Sequence, residues 1–303
     1  KPWWRSYSSI ICYDLKRSVN SMKTQLKISL SAVIFAGLFY GQFALASPQD
    51  WQKIKRPIPT ETGEAEPIGG YSNGCIIGAQ AIPATGIGYQ VIRMNKNRYY
   101  GHPTMITYLQ RLGQRAHAAG LPTLLIGDIA MPGGGRFLTG HASHQIGLDA
   151  DIWLRMGAMS AQDALNSDGK GLLVVDRKTQ RVNEQVWTSN HAKLIRLAAE
   201  DPNVTRIFVN PAIKVKLCQT AGAERAWLQK IRPWFGHDSH FHVRLKCPKN
   251  AAYCEEQAPI PSGDGCGDEL YSWFKPAKPS TTPTKPKPLP PEPFLCQQVI
   301  NSP

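Results

Sequence analysis

Apolar and polar residues alternate without a break along Leu148-Asp149-Ala150-Asp151-Ile152-Trp153-Leu154, and again along His240-Phe241-His242-Val243-Arg244-Leu245. A period of two predicts a strand at each place, with Leu148, Ala150, Ile152 and Leu154 facing a core in the first and Phe241, Val243 and Leu245 in the second. The opposite face then carries Asp149 and Asp151 from one strand and His240, His242 and Arg244 from the other. Short β-rich runs bounded by turn residues predict further strands within 89–94, 122–130 and 204–209. Helical spacing recurs over 103–120, where Ile106, Leu109 and Leu112 share a face and Gly120 supplies a stop, and helices are also predicted within 191–201 and 211–219. Strands and helices intersperse without strict alternation. The pattern therefore predicts an α+β fold, an antiparallel sheet carrying a polar site on one face with helices packed around it.

The domain that holds these elements is predicted to span residues 47–274. Ahead of it, residues 22–46 read as a signal peptide: the basic MKTQLK, a charge-free apolar stretch and the small-residue site Ala44-Leu45-Ala46, with cleavage before Ser47. An uncleaved membrane anchor is the competing reading; Gln42 and the small residues at the end weigh against it, so no stable membrane span is expected after cleavage. Residues 1–21 precede Met22 and read as non-native upstream sequence. Residues 275–303 form a proline-rich tail; 275–293 alone hold eight of the 24 prolines, a composition that favours an extended strap over a packed core.

Export changes the reading of the cysteines. Of seven, Cys12 falls in the upstream segment, leaving Cys75, Cys218, Cys247, Cys254, Cys266 and Cys296, an even set suited to pairing in an oxidising compartment such as the periplasm. No CxxC spacing occurs, which argues against a structural zinc knuckle. The formal charge of +13 falls to +8 once residues 1–46 are removed, since 29 basic and 21 acidic residues remain. With no block of lysine and arginine interleaved with aromatic residues, nucleic acid is not expected as a partner, and an anionic polymer such as a cell wall fits better.

Five of the eight histidines crowd into HASHQIGLDADIWL (141–154) and HDSHFHVR (237–244). Gly147 lets the chain bend just before the first strand, so His144 can reach back over its polar face. If the two strands lie side by side, His144, Asp151 and His242 converge as N, O and N ligands, a set that zinc accepts with a position left open. Zinc so held polarises a carbonyl and acidifies water, the chemistry of amide hydrolysis. A non-ligand imidazole would then move the proton: His240 is the first choice, with His237 and His141 in reserve. Each motif alone is weak, because a lone H-x-H is more often a surface pair. MPGGGR (131–136) is no phosphate loop and reads as a flexible wall of the cleft, while Arg136 is a candidate for gripping a substrate carboxylate, with a structural role equally open.

SHQIGLDADI and HFHVRL resemble the S-x-H-x3-G-x-D-x-D and H-x-H motifs of the metallopeptidase group that includes lysostaphin, D-Ala-D-Ala carboxypeptidases and hedgehog domains. With SNGCIIGA, YYGHP, MPGGGRF, TRIFVNPAIK, RPWFGHDSHFHVRL and PSGDGC, the chain resembles more closely the penicillin-insensitive murein endopeptidases, from Trp51 to Cys296. The resemblance implies a periplasmic zinc enzyme acting on peptidoglycan at the D-alanyl to meso-diaminopimelyl crosslink, with D-Ala-D-Ala carboxypeptidase as the alternative within the group. It implies zinc ligands at His144, Asp151 and His242, and disulfides Cys75–Cys296, Cys218–Cys266 and Cys247–Cys254, the first tying the tail to the body. Further metal contacts would fall on His141 and Asp168, although Gly171 stands where the family pattern continues with histidine, leaving His141 alternatively a catalytic or substrate-binding imidazole. A homodimer stays open as a further partner.

Overall fold

The computed structural model describes residues 47–276 and 289–301. The stretches read from the sequence as upstream segment (1–21) and signal peptide (22–46), and most of the proline-rich run, lie outside the described residues. A seven-stranded sheet organises the chain, its strands here numbered in chain order: β1 Thr85–Gly86, β2 Tyr89–Val91, β3 Leu124–Ile126, β4 Asp149–Trp153, β5 Val204–Val209, β6 Ile231–Pro233 and β7 His240–Leu245. Their spatial order is β6-β5-β7-β4-β3-β2-β1.

The sheet is mixed, which corrects the antiparallel expectation. β7 pairs antiparallel with both β4 and β5, but β5 with β6 and β2 with β3 are parallel. The reason lies in the connections: a parallel neighbour needs a crossover rather than a hairpin. Helix α1 (Pro103–Ala118) joins β2 to β3, and helix α3 (Pro211–Thr220) with the 3-10 turn Ala226–Lys230 joins β5 to β6. Helix α2 (Ser189–Ala199) precedes β5.

α1 starts with Pro103 at its first position, where no amide hydrogen is needed, and the His102 ring accepts from the Thr104 amide. Its stripe Met105, Ile106, Leu109 and Leu112 joins Leu194, Ile195 and Ala198 of α2 in one core with Ala150, Ile152, Phe241, Val243 and Leu245 of the sheet. The alternation thus resolves as predicted: one face of β4 and β7 faces helices, and the other is free to carry polar groups. His191 has a structural place, its ring spanning from the Thr188 amide to the Leu154 carbonyl.

A second, smaller core gathers Trp51, Ile68, Cys75, Met131, Phe137, Cys296 and Val299. It lies between the short helix Pro48–Lys53, the hairpin Glu66–Gly70/Asn73–Ile77 and the C-terminal helix Phe294–Ile300. The tail is stapled here by the Cys75–Cys296 disulfide, and Cys218–Cys266 and Cys247–Cys254 are also formed. The strap adds polar contacts: Trp51 Nε1 donates to Glu292 Oε1 at 2.9 Å, and Asn73 Nδ2 to the Pro291 carbonyl at 2.9 Å.

Two sequence expectations are corrected at this core. MPGGGR is a packed floor instead of a flexible wall, since every residue from Met131 to Arg136 is buried. Gly134 and Gly135 have φ of 68° and 72°, and a Cβ on Gly135 would overlap the Trp51 ring. Arg136 donates to Asn73 Oδ1 at 2.8 Å and to the Pro290 carbonyl at 3.0 Å, so its guanidinium clamps the tail and is not presented to a substrate.

Candidate metal centre

Register builds the site. His242 lies opposite Asp151 and Arg244 opposite Asp149, so two strands about 95 residues apart in sequence place their polar residues in facing pairs. His144 completes the set from the turn before β4. It adopts the left-handed region at φ 69°, uncommon for a residue with a Cβ, and its amide donates to Asp149 Oδ2 at 3.1 Å. Gly147 at φ 70° permits the bend, because a side chain there would strike the His102 amide and Ile76.

The Asp151 carboxylate is the hub, and its two oxygens divide the histidines. Oδ1 faces His144 Nε2 at 3.4 Å and His242 Nδ1 at 3.5 Å. Oδ2 faces His141 Nε2 at 3.4 Å and His240 Nε2 at 3.7 Å. Ligand atoms of His141, His144 and Asp151 all lie within 4.8 Å of one another.

Tautomers follow from the outer contacts. His144 Nδ1 sits 2.7 Å from the Ile129 carbonyl and must donate to it, which in the neutral ring leaves Nε2 as a lone pair turned to Asp151. His242 Nε2 sits 3.0 Å from Asp149 Oδ1, which turns Nδ1 inward in the same way. Arg244 fixes Asp149 in turn through a two-pronged contact, Nε to Oδ1 at 2.7 Å and Nη2 to Oδ2 at 3.0 Å. A carboxylate behind a histidine is the usual support of a metal-binding imidazole.

Charge balance is uneven. Burial would raise the Asp149 carboxyl, but Arg244 and His242 outweigh it and hold it far below the usual range. Asp151 is likewise held well down, against its burial, by His240, His141 and His144. Burial pushes His242 down to about 3 and His237 down to about 4, and lowers His240 as well. His144 goes the other way: burial would lower it, but Asp151 and Asp149 raise it.

His144 Nε2, Asp151 Oδ1 and His240 Nε2 are buried without a hydrogen-bond partner among the described residues. Buried polar atoms left unpaired are costly, by about 1–3 kcal/mol each, and a cluster of lone pairs beside a carboxylate oxygen fits a divalent cation. The chemistry of the donors thus passes the test for a metal.

Asp168 is not brought to this cluster. It is half exposed and paired with Arg93 at 3.0 Å and Lys96 at 2.6 Å, two cations that already neutralise it. Asp128, one carboxylate inside the apolar run PTLLIGDIA, also belongs to the site without a periodic pattern to announce it; it is fully buried and meets His141 at 3.3 Å, Arg93 at 3.1 Å and Arg98 at 3.0 Å. That isolated acid was the available signal. His237 stands beside His240, ring centroids 5.0 Å apart. Over the histidines opens a cleft of about 310 Å³, lined by His141, His237, His242, Phe208, Trp234 and Ser143 among others. Larger grooves of about 630 and 700 Å³ flank the hairpin Val175–Asp176/Arg181–Val182 and contain no histidine.

A mixed sheet with imidazoles and carboxylates gathered under an open cleft defines a hydrolase-type site. Residues 67–301 match the family model described as penicillin-insensitive murein endopeptidase, and the chain belongs to that peptidase family. It is 76% identical over 277 residues to a protein of that name from Haemophilus influenzae, covering 91% of this chain and 97% of the relative. Relatives of the same name from Klebsiella pneumoniae and Salmonella typhi are 51% and 48% identical, over 83% and 89% of this chain and 90% and 97% of their own lengths.

Proposed function

We propose that the chain is a periplasmic, zinc-dependent murein DD-endopeptidase that hydrolyses the D-alanyl to meso-diaminopimelyl amide linking peptidoglycan strands. The observation that carries the reading is the set of bare ligand atoms turned toward Asp151 at the base of the cleft; the family and the names of the relatives supply the substrate class. His144 Nε2, Asp151 Oδ1 and His242 Nδ1 would hold the metal. Zinc bound there supplies a Lewis acid that polarises the amide carbonyl and acidifies water.

The protein's own residues supply the rest. His240 is kept neutral by burial, so its unpaired Nε2 can accept a proton from the attacking water and return it to the leaving amine. His141, on the same Asp151 oxygen, is oriented by Asp128 toward that proton path. His237, held neutral and hydrogen-bonded through Nδ1 to the Phe235 carbonyl at 2.9 Å, presents Nε2 to the cleft as a second candidate for proton transfer. Ser72 and Ser143 line the cleft with no histidine or lysine hydrogen-bonded to either hydroxyl among the described residues, and the Ser239 hydroxyl, outside that lining, meets His240 Nδ1 only at 3.5 Å. Neither is set up to be acylated, which fits insensitivity to penicillin. The test is to incubate the zinc-loaded protein beginning at Ser47 with purified crosslinked muropeptide dimers. Monomers should form and a chelator should stop them; no monomer from protein carrying one zinc per chain would refute the assignment.

A further inference from the structure

The cross-strand row that builds the site continues past it. From Asp151 on β4 the facing partners run through His242 on β7 and Phe208 on β5 to Arg232 on β6, and a parallel row runs Asp149, Arg244, Arg206. At about 4.8 Å per strand, Arg232 lies two strands, or about 10 Å, from His242 on the same face. A groove of about 230 Å³ opens over that end, lined by Arg206, Phe208, Arg232, Trp234, Gln257 and Trp273 among others. Phe208, Trp234 and Gln257 also line the histidine cleft, so the two spaces share a wall.

The charges of this groove do not close within the protein. Arg244 is matched by Asp149, and Arg232 by Glu269. Arg206 faces Arg244 directly across the ladder, an unfavourable like-charge pair. It is 9% exposed, donates to the Ala258 carbonyl, and has no carboxylate in ion-pair contact among the described residues. Glu256, the acid on that side, is engaged by the Tyr71 hydroxyl and the Cys247 amide. A nearly buried guanidinium with no carboxylate in direct contact, at the floor of an open groove, is suited to an anion that arrives from outside. Above it, Trp234 is 52% exposed and Phe235 72%, with Trp273 at ring distances of 6.1 and 4.8 Å from them.

We propose that this groove is a substrate subsite that captures a free carboxylate carried two to three residues from the scissile amide. An extended peptide advances about 3.3 Å per residue, so that separation spans the distance from the histidines to Arg232. The carboxylate meets Arg206 and shares Arg232 with Glu269 at the groove's edge, and Trp234 covers the intervening backbone. The subsite would select anionic peptide stems over neutral ones. The proposal rests on reading the histidine cleft as a murein peptidase site.

Steady-state kinetics on crosslinked muropeptide dimers, compared with matched dimers whose stem carboxylates are converted to carboxamides, provides the test. The parent protein should show a KM about tenfold lower for the carboxylate form, the worth of one charge-assisted contact. Arg232→Gln should raise that KM about tenfold, leave the carboxamide KM and both kcat values within twofold, and so abolish the preference, whereas Arg232→Lys should retain part of it. An equal rise for both substrates, or an unchanged preference, overturns the subsite. Calorimetric binding of an uncrosslinked, carboxylate-bearing muropeptide separates the two readings. If the parent protein cleaves neither dimer, the endopeptidase reading fails, while the subsite still requires about tenfold tighter binding to the parent than to Arg232→Gln, and equal affinity refutes it.

Discussion

Removing the Arg244 guanidinium tests the idea that the outer carboxylate is as necessary as the metal ligands. Asp149 has no solvent exposure and Arg244 is 5% exposed, joined by contacts of 2.7 and 3.0 Å. In Arg244→Leu the carboxylate keeps only the His144 amide and the His242 ring. Breaking a buried pair from one side costs about 3–5 kcal/mol, because the remaining charge stays desolvated. For a domain of this size each kcal/mol moves Tm by about 2–4 °C, so a fall on the order of 10 °C is expected in calorimetry of the metal-free protein. The double variant Asp149→Leu/Arg244→Leu, which leaves no orphaned charge, should regain a large part of that loss. An Arg244→Leu Tm within about 2 °C of the parent, or a double variant that falls by the sum of its singles, would refute the reasoning. Asp149→Asn gives a second readout on the same pair, with zinc affinity expected to drop about 10–100-fold as the His242 ring loses its anchor.

Other residues make separate claims. His240→Ala should keep one zinc per chain by metal analysis yet lose about 100- to 10,000-fold in kcat on muropeptide dimers, and full activity would remove the residue from the proton path. Gly135→Ala should unfold the protein several degrees early in thermal denaturation, since it forces a side chain into the Trp51 ring at φ 72°. In the metal-free protein, His242 and His237 have folded-state pKa values below the unfolded value of about 6.5, so the unfolded chain binds more protons between pH 6.5 and about 4. Stability should therefore fall as the pH is lowered through that window, by about 1.4 kcal/mol per pH unit for the fully buried His242 alone, measured by urea unfolding. A flat profile there would show that these imidazoles are not kept neutral.

The site was legible where chemistry follows a period. Alternation in LDADIWL and HFHVRL places Asp151 and His242 on one face, and the observed register sets them opposite each other. The parts that depend on distant packing were not legible. Nothing in the local pattern around Arg136 says that it holds Pro290, or that Trp51 closes over the glycines, because Pro290 comes from the tail held by the Cys75–Cys296 link and Trp51 from a distant helix packed on the same core. The parallel strand pairs were missed for a related reason: pairing direction is set by the crossover helices and not by the strands themselves. Asp128 was overlooked because a single acid in an apolar run carries no period to follow.

The three disulfides are nested, Cys247–Cys254 inside Cys218–Cys266 inside Cys75–Cys296. Among these six, only the innermost pair joins cysteines that follow one another in the order of cysteines along the chain. As the polypeptide is synthesised, Cys75 meets four other thiols before its own mate, the last of the six, exists. Vectorial oxidation would thus join Cys75 to Cys218 and strand the outer pair, so correct closure requires either that Cys75 stay reduced until the C-terminus arrives or that a thiol exchange catalyst undo the first bond.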